Sequence, residues 1–350
     1  MNAGRLATVA VVLAVAGVAG ASLVDSGRAG PDPAETAPPP TSATKATPDP
    51  AVAVGSLSER LERLPLLAPG ALGGRIHRRL PACRWQATDL ATGTDADLTP
   101  PGRCPLWLPG WRYAFVFSVE QSANAPIVRA VDVFRGARQE GRIELPHEPT
   151  GGAAATPQGR FALCLRGDVP ETRVYRGARL VDRVRACGPV AFGEEFLFHD
   201  GARFRDADGH VVLDLGDPQP YVQPAVNGLV VVAANGTVSV YDGRRRIRSF
   251  PLPDGVAASN IVDSDTSEEG RTVVLRFHAV SAADIVVLRA GSDDVGRTEI
   301  GTVLTARTAP DGRSLAAVIA GVPVVLDAAT LAPVARLAIE PEAALVAWTR

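Results

Sequence analysis

An all-β fold built from repeated small sheets is what this sequence predicts, on three observations. Hydrophobic residues make up 46% of the 350 and charged residues 21%, enough for a sizeable core. After residue 73 the apolar runs are short and separated by glycine-bearing turns. One unit, an apolar run, a turn and a second apolar run, recurs along the chain. Thr305 to Val318 shows it: an apolar-leaning run meets Pro310-Asp311-Gly312, and Leu315 to Val318 follows at once.

Taken in order, the chain opens with Arg5 and an uncharged, mostly apolar run from Leu6 to Val24. Its length is nearer the ~20 residues of a spanning helix than the ~7–15 of a signal-peptide core. The run is read as a retained signal anchor (1–24), with cleavage near Ala21 as the alternative. Arg5 before it and Asp25 after it put the remainder outside the cytoplasm. No cysteine follows the run, so no lipid is attached there. Residues 25–55, rich in Pro, Ala and Thr, cannot bury enough apolar surface to order, and they read as a disordered spacer.

Residues 56–68 predict a short helix. Ser56 and Glu59 fit a capping box, Leu57, Leu61 and Leu64 share one face, and Pro65 ends it. The hairpins follow over 73–350. One set begins at Leu106, Ala154, Val190, Pro224, Asp265 and Thr305, with turn glycines Gly110, Gly159, Gly193, Gly228, Gly270 and Gly312. Spacing runs from the mid-thirties to the high forties, the range of four-stranded propeller blades. A second set lies between, starting at Arg84, Arg129, Arg173, Arg203, Val238, Asp284 and Pro323; Asn235-Gly236 is a strong hairpin turn.

The second set has one member more than the first. The counts match if Ala343 to Arg350 is a leading strand whose partners lie at the other end of the chain, Gly74 to Leu80 and then Arg84 to Thr99. That is ring closure, which removes the open sheet edges of a linear array. The prediction is an all-β β-propeller of seven four-stranded blades, with six as the alternative count, closed by pairing of N- and C-terminal strands and preceded by the hydrophobic N-terminal helix.

Thr308, Pro310, Asp311, Gly312, Arg313 and Leu315 resemble the TolB-type, WD40-like propeller repeat, and Leu106 to Gly110 is a looser copy. The resemblance implies an extracytoplasmic binding protein of the bacterial cell envelope; the repeat motif itself makes a turn. Arginine in place of lysine, with Lys45 alone among 36 cationic residues, points to a GC-rich, actinobacterial source.

Four cysteines outside the cytoplasm predict disulfides; of the three possible pairings, Cys83 with Cys104 and Cys164 with Cys187 is favoured, each joining neighbouring parts of the ring. Their spacing lacks a zinc pattern. A net charge of −2 argues against nucleic acid. The histidines, His77, His147, His199, His210 and His278, are scattered through different blades, with no metal-binding pair. Asp263 to Gly270 fails as a calcium loop at Glu268 and Val274 and reads as a solvated acidic loop. Glu194-Glu195 and Asp293-Asp294 are adjacent rather than spaced across a cleft. No catalytic residue, metal or cofactor is expected. Among the tryptophans, Trp85, Trp107 and Trp348 suit a core, and Trp111, at a turn, suits a binding surface. Arg244, Arg245 and Arg246 beside a hairpin tip offer a second surface, for an anionic envelope polymer. The expected function is a non-enzymatic, monomeric binding or scaffold module for a protein or envelope component. The alternative is a hydrolase or lyase acting on a small molecule or glycan in the central channel.

Overall fold

The computed structural model describes residues 56–100, 105–107, 113–121, 126–136, 138–217, 219–252, 256–277, 285–291, 296–298, 303–340 and 343–350. The anchor, the spacer, Cys104, Trp111, His278 and Asp293-Asp294 lie outside them. Among the described residues no helix is long and apolar enough to cross a membrane.

Seven antiparallel sheets of four strands each make a closed propeller. Blade 1 takes its innermost strand from Ala344–Thr349 and continues outward through Arg75–Arg79, Trp85–Asp89 and Thr94–Asp97. Blades 2 to 7 follow in sequence, over 106–144, 149–184, 189–214, 221–251, 261–298 and 303–336. At the seam His77 pairs with Ala347 and Ile76 with Trp348. Buried Arg78 braces the closing blade, donating to Gln86 Oε1 (2.7 Å), Asp95 Oδ2 (2.9 Å) and the Thr88 hydroxyl.

Among the described residues the core divides into seven apolar clusters, one at each junction between neighbouring blades. This explains the apolar runs. Val230–Ala234 is buried nearly throughout because blade 4 covers one face and blade 6 the other, so no polar alternation survives. At Asn235-Gly236 both residues have positive φ, 48° and 72°, as a two-residue type I′ turn requires. Gly312 has φ 73°, and a Cβ there would stand 2.7 Å from the Thr272 hydroxyl. Its Pro-Asp-Gly turn is thus pressed against the turn of the preceding blade.

The helix Leu57–Glu62 carries a reciprocal cap: Ser56 Oγ accepts from the Glu59 amide (3.3 Å), and Glu59 Oε2 accepts from the Ser56 amide (2.7 Å). Leu57, Leu61 and Leu64 pack on the cluster between blades 6 and 7. Past Pro65 the chain lies parallel to Pro333–Arg336, the outer strand of blade 7; the Leu67 amide donates to Arg336 O and the Arg336 amide to Pro65 O, both at 2.8 Å. A fifth, partial strand thus seals that edge.

Cys164, buried on the second strand of blade 3, is bonded to Cys187 on the connection to blade 4, with Cα atoms 5.3 Å apart. Cys83 is also disulfide-bonded. Closing a loop of 23 residues contributes ~3 kcal/mol in the chain-entropy model. The Cys164→Ala/Cys187→Ala double variant is expected to melt as one transition roughly 5–10 °C lower. An unchanged melting temperature by circular dichroism would show that this bridge constrains nothing.

Candidate binding face

In a four-stranded antiparallel blade the turn between strands one and two and the turn between strands three and four project from the same end. The ring therefore has one hairpin face, which gathers most of the candidate groups. Gly159, Gly193, Gly228, Gly270 and Gly312 all sit in its inner turns, with φ between 63° and 87°. Arg244 and the Asp206–His210 tip lie in its outer turns, and Arg245 and Arg246 begin the outer strand of blade 5 beside the first of these.

The inner strands of blades 5, 6, 7 and 1 carry a polar belt that the sequence did not reveal. Asp263 and Asp265 stand on Ile261–Thr266, the inner strand of blade 6, and both are buried. This corrects the reading of Asp263 to Gly270 as a solvated loop: of its four acidic residues only Glu268 and Glu269 lie in the turn. Asp263 Oδ1 accepts from Gln223 Nε2 of blade 5 (3.0 Å), and its Oδ2 accepts from Arg307 Nη1 of blade 7 (2.6 Å). Arg307 Nε donates to Val346 O on the closing strand (2.6 Å). Asp265 Oδ2 accepts the Thr308 amide (2.8 Å). Tyr221 donates its hydroxyl to Gln223 Oε1, and burial pushes its phenol up.

The two carboxylates are shifted in opposite directions. Burial alone would raise Asp263, but the Arg307 guanidinium outweighs it and holds the group below the usual carboxylate range. Burial pushes Asp265 up to about 6 against the pull of Arg307 and the Thr308 amide. Across the channel mouth His77, buried on the second strand of blade 1, bonds through Nε2 to Thr349 Oγ1 (3.0 Å). Burial, with the Arg75 charge adding, lowers its imidazole to about 4.

His77 and Asp265 pull stability in opposite directions over one pH interval. As pH falls from 6.5 towards 4 the unfolded chain binds the His77 proton first, so stability is lost. Half-buried His199, also lowered by burial, acts with the same sign. As pH falls from about 6 towards 3.8 the folded chain binds the Asp265 proton first, so stability is gained. At ~1.4 kcal/mol per pH unit each effect reaches on the order of 3 kcal/mol. The wild-type chain is expected to change little over this interval. Asp265→Asn should steepen its loss on acidification, and His77→Gln should flatten or reverse it. Urea titrations at several pH values read both, and parallel profiles for all three chains would refute the assignment.

The turns around the belt interlock as a collar. Asn227 Nδ2 donates to Thr266 O (3.1 Å) and Ser267 O (3.0 Å), Thr272 Oγ1 to Gly312 O (3.0 Å), and the Glu268 amide to Pro310 O (3.1 Å). Arg350, at the end of the closing strand, forms an ion pair with Glu268. A cavity of about 550 Å³ opens beside the collar, running from Asp265 and Thr308 to His77 and Arg75 on blade 1.

Other expected groups are dispersed. Arg244–Arg246 are exposed, but Arg244 Nε donates to Glu195 Oε2 (2.7 Å) and Arg245 lies 4.0 Å from Asp242, so acids dilute that cationic patch. Trp85, Trp107 and Trp348 are buried core residues. His199 and His210 share blade 4 rather than lying in separate blades. Asp206, Asp208 and His210 hold potential metal-binding atoms within 4.8 Å of one another, while Asp206 Oδ1 caps the turn by accepting the Asp208 (3.1 Å) and His210 (2.9 Å) amides.

No family model matches this chain, and no curated protein matches it. Similar solved structures include a putative 6-phosphogluconolactonase from Bacteroides fragilis, 14% identical, TM-score 0.44, covering 79% of this chain and 96% of that one. A chain of the mitotic checkpoint complex is 11% identical, TM-score 0.43, covering 80% and 96%. The β-propeller domain of Cps50 (Swd1) from Myceliophteria thermophila is 14% identical, TM-score 0.37, covering 77% and 88%. The fold assignment rests on the sheet order and not on these likenesses.

Proposed function

We propose that this chain is a TolB-like, extracytoplasmic binding or scaffold propeller, non-enzymatic, held at the membrane by residues 1–24 through the spacer 25–55. One observation carries the reading: the collar. Side-chain and backbone bonds knit the turns of blades 5, 6 and 7, and the Arg350–Glu268 pair ties in the closing strand. A surface fixed in this way loses little conformational entropy when a partner docks. Its rim alternates charge, Arg75 with Asp89 and Arg350 with Glu268, which suits a partner of mixed charge better than a purely anionic polymer. The disulfide between Cys164 and Cys187 is compatible with an oxidising compartment.

The alternative, a hydrolase or lyase working in the channel, is favoured by the two carboxylates on the inner strand of blade 6. Against it, Asp263 is engaged by Gln223 and Arg307, as a structural acid would be. The test is in-cell cross-linking of the full chain followed by mass spectrometry, beside an Arg75→Glu/Arg350→Glu variant. An envelope component captured by the wild-type chain and lost from the variant supports the collar. Equal capture moves the surface elsewhere on the ring, and a stoichiometric metal without a partner favours the enzyme.

A further inference from the structure

The bonded cysteines sit in two different settings. Cys164 is fully buried on a strand of blade 3, so its bridge to Cys187 is shielded on that side. Cys83 is also disulfide-bonded, but it is half-buried in the turn Pro81–Cys83 that joins Arg75–Arg79 to Trp85–Asp89 in the closing blade. Pro81, Ala82 and Arg84 around it are exposed. An incoming thiol can reach this turn.

Two features of the turn act on the sulfur. The first is the backbone: Ala82 and Cys83 both have positive φ, 55° and 61°. Asn235-Gly236 adopts the same pair of signs with residues suited to it, whereas Ala82 and Cys83 each carry a Cβ that crowds the left-handed region. Such outliers persist only where their surroundings impose them. The Arg84 amide reaches Pro81 O at 3.5 Å, a long bond, so hydrogen bonding does little to impose this one. What holds it is Pro81 on one side and the bond from Cys83 on the other. The second feature is charge. Arg79 Nη2 donates to Cys83 Sγ (3.9 Å). A guanidinium there favours the thiolate over the thiol, which makes Cys83 a good leaving group when its bridge is attacked.

From the accessible turn, its two left-handed residues and the Arg79 contact we propose that the Cys83 disulfide is a thiol–disulfide exchange site for a dithiol reductant, and that the Cys164–Cys187 bridge is structural. A thiolate of the dithiol attacks the sulfur bonded to Cys83. The S–S electron pair passes to Cys83, which departs as a thiolate beside Arg79. The second thiolate of the dithiol then breaks the mixed disulfide and releases the other protein sulfur. The protein gains two electrons and two protons as two thiols, and the dithiol is oxidised to a disulfide. Freed of the bond, Ala82 and Cys83 leave the left-handed region and the turn loosens. Arg75–Arg79 pairs with the closing strand Ala344–Thr349, so the change falls on the seam of the ring. The inference stands apart from the envelope-partner reading, because a purified chain tests it without any partner.

The probe is dithiothreitol. The full-length chain is equilibrated in mixtures of its reduced and oxidised forms, and the thiols set free are alkylated and assigned by mass spectrometry. Cys83 is expected to be half reduced at a reduced-to-oxidised ratio roughly tenfold below that needed for Cys164 and Cys187. Ala82→Gly removes the crowded Cβ and should raise the ratio needed for Cys83 roughly fivefold. Arg79→Gln should slow reduction of Cys83 roughly threefold at neutral pH and leave Cys164 and Cys187 unaffected. Both substitutions are at exposed positions, where the fold tolerates them. Hydrogen exchange over residues 75–89 should rise once Cys83 alone is reduced. Reduction of Cys164 and Cys187 before Cys83 or in the same step, a Cys83 midpoint unmoved by Ala82→Gly together with a rate unmoved by Arg79→Gln, or unchanged exchange over 75–89 would each overturn the assignment.

Discussion

Deletion of residues 344–350 is expected to abolish cooperative folding of the whole ring, with no sigmoidal transition left in urea or on heating. These residues are the inner strand of blade 1. Leu345 and Trp348 fill the junction with blade 7, and Val346 packs toward blade 2. Burying Leu345 and Trp348 is worth ~2–3 kcal/mol each. The strand also pairs with Arg75–Arg79 at five positions, at ~1 kcal/mol per net hydrogen bond. Further bonds go from Trp348 Nε1 to Gly73 O (3.1 Å) and from Arg307 Nε to Val346 O (2.6 Å). The loss is on the order of 10 kcal/mol, comparable with the ~5–15 kcal/mol that holds a domain folded. It also opens a sheet edge inside the ring. A deleted chain that kept one sharp transition near the wild-type midpoint would refute closure through this strand. Trp348→Ala, a milder cut at the same place, should cost ~3–5 kcal/mol.

Arg307→Met should lower stability by ~3–5 kcal/mol, as removal of one partner from a buried ion pair does. Methionine fills the volume of the side-chain stem but leaves Asp263 facing Gln223, with Arg276 Nε 3.8 Å away. It also strands Val346 O on the closing strand. Because the penalty comes from a buried carboxylate left with only the more distant Arg276, Asp263→Asn added to Arg307→Met should recover more than half of it. Urea midpoints of the single and double variants supply the cycle. Additive losses would mean that the two side chains act independently and that the belt does not couple blade 6 to the seam.

The ring itself was legible in the sequence because its physics is local. Each blade's middle strands are covered on both faces, so they appear as unbroken apolar runs, and the glycine turns between them mark the blades. The surplus hairpin revealed closure because the count of turns is a count of strands. The belt was hidden for a different reason. Aspartate is a poor strand former, and Asp-Ser-Asp before Ser-Glu-Glu-Gly has the composition of a loop; neighbouring blades overrode that preference. A signal was nevertheless present. When the repeats are aligned on their turn glycines, Gln223, Asp265 and Arg307 all fall five residues before Gly228, Gly270 and Gly312. The equivalent positions before Gly159 and Gly193 are Ala154 and Gly188. The polar positions of blades 5, 6 and 7 were therefore written in the repeat, but only after the repeats were placed in register. His77 had no such marker, since its setting depends on alanines drawn from three strands.

The partial strand at Pro65–Leu67 bears on how the molecule behaves when crowded. Outer strands such as Arg138–Glu144, Arg179–Val184 and Arg245–Pro251 carry several charges each, which discourages a second molecule from extending the sheet. The outer strand of blade 7, Pro333–Arg336, has one charge and an exposed Val334. It is the edge that Pro65–Leu67 cover. Proteolytic trimming that stopped short of residue 56 would leave the protein monodisperse. Trimming past residue 67 would uncover one sticky side, and polymers would grow from blade 7. The short stretch between helix and ring is therefore a solubility device as much as a connection.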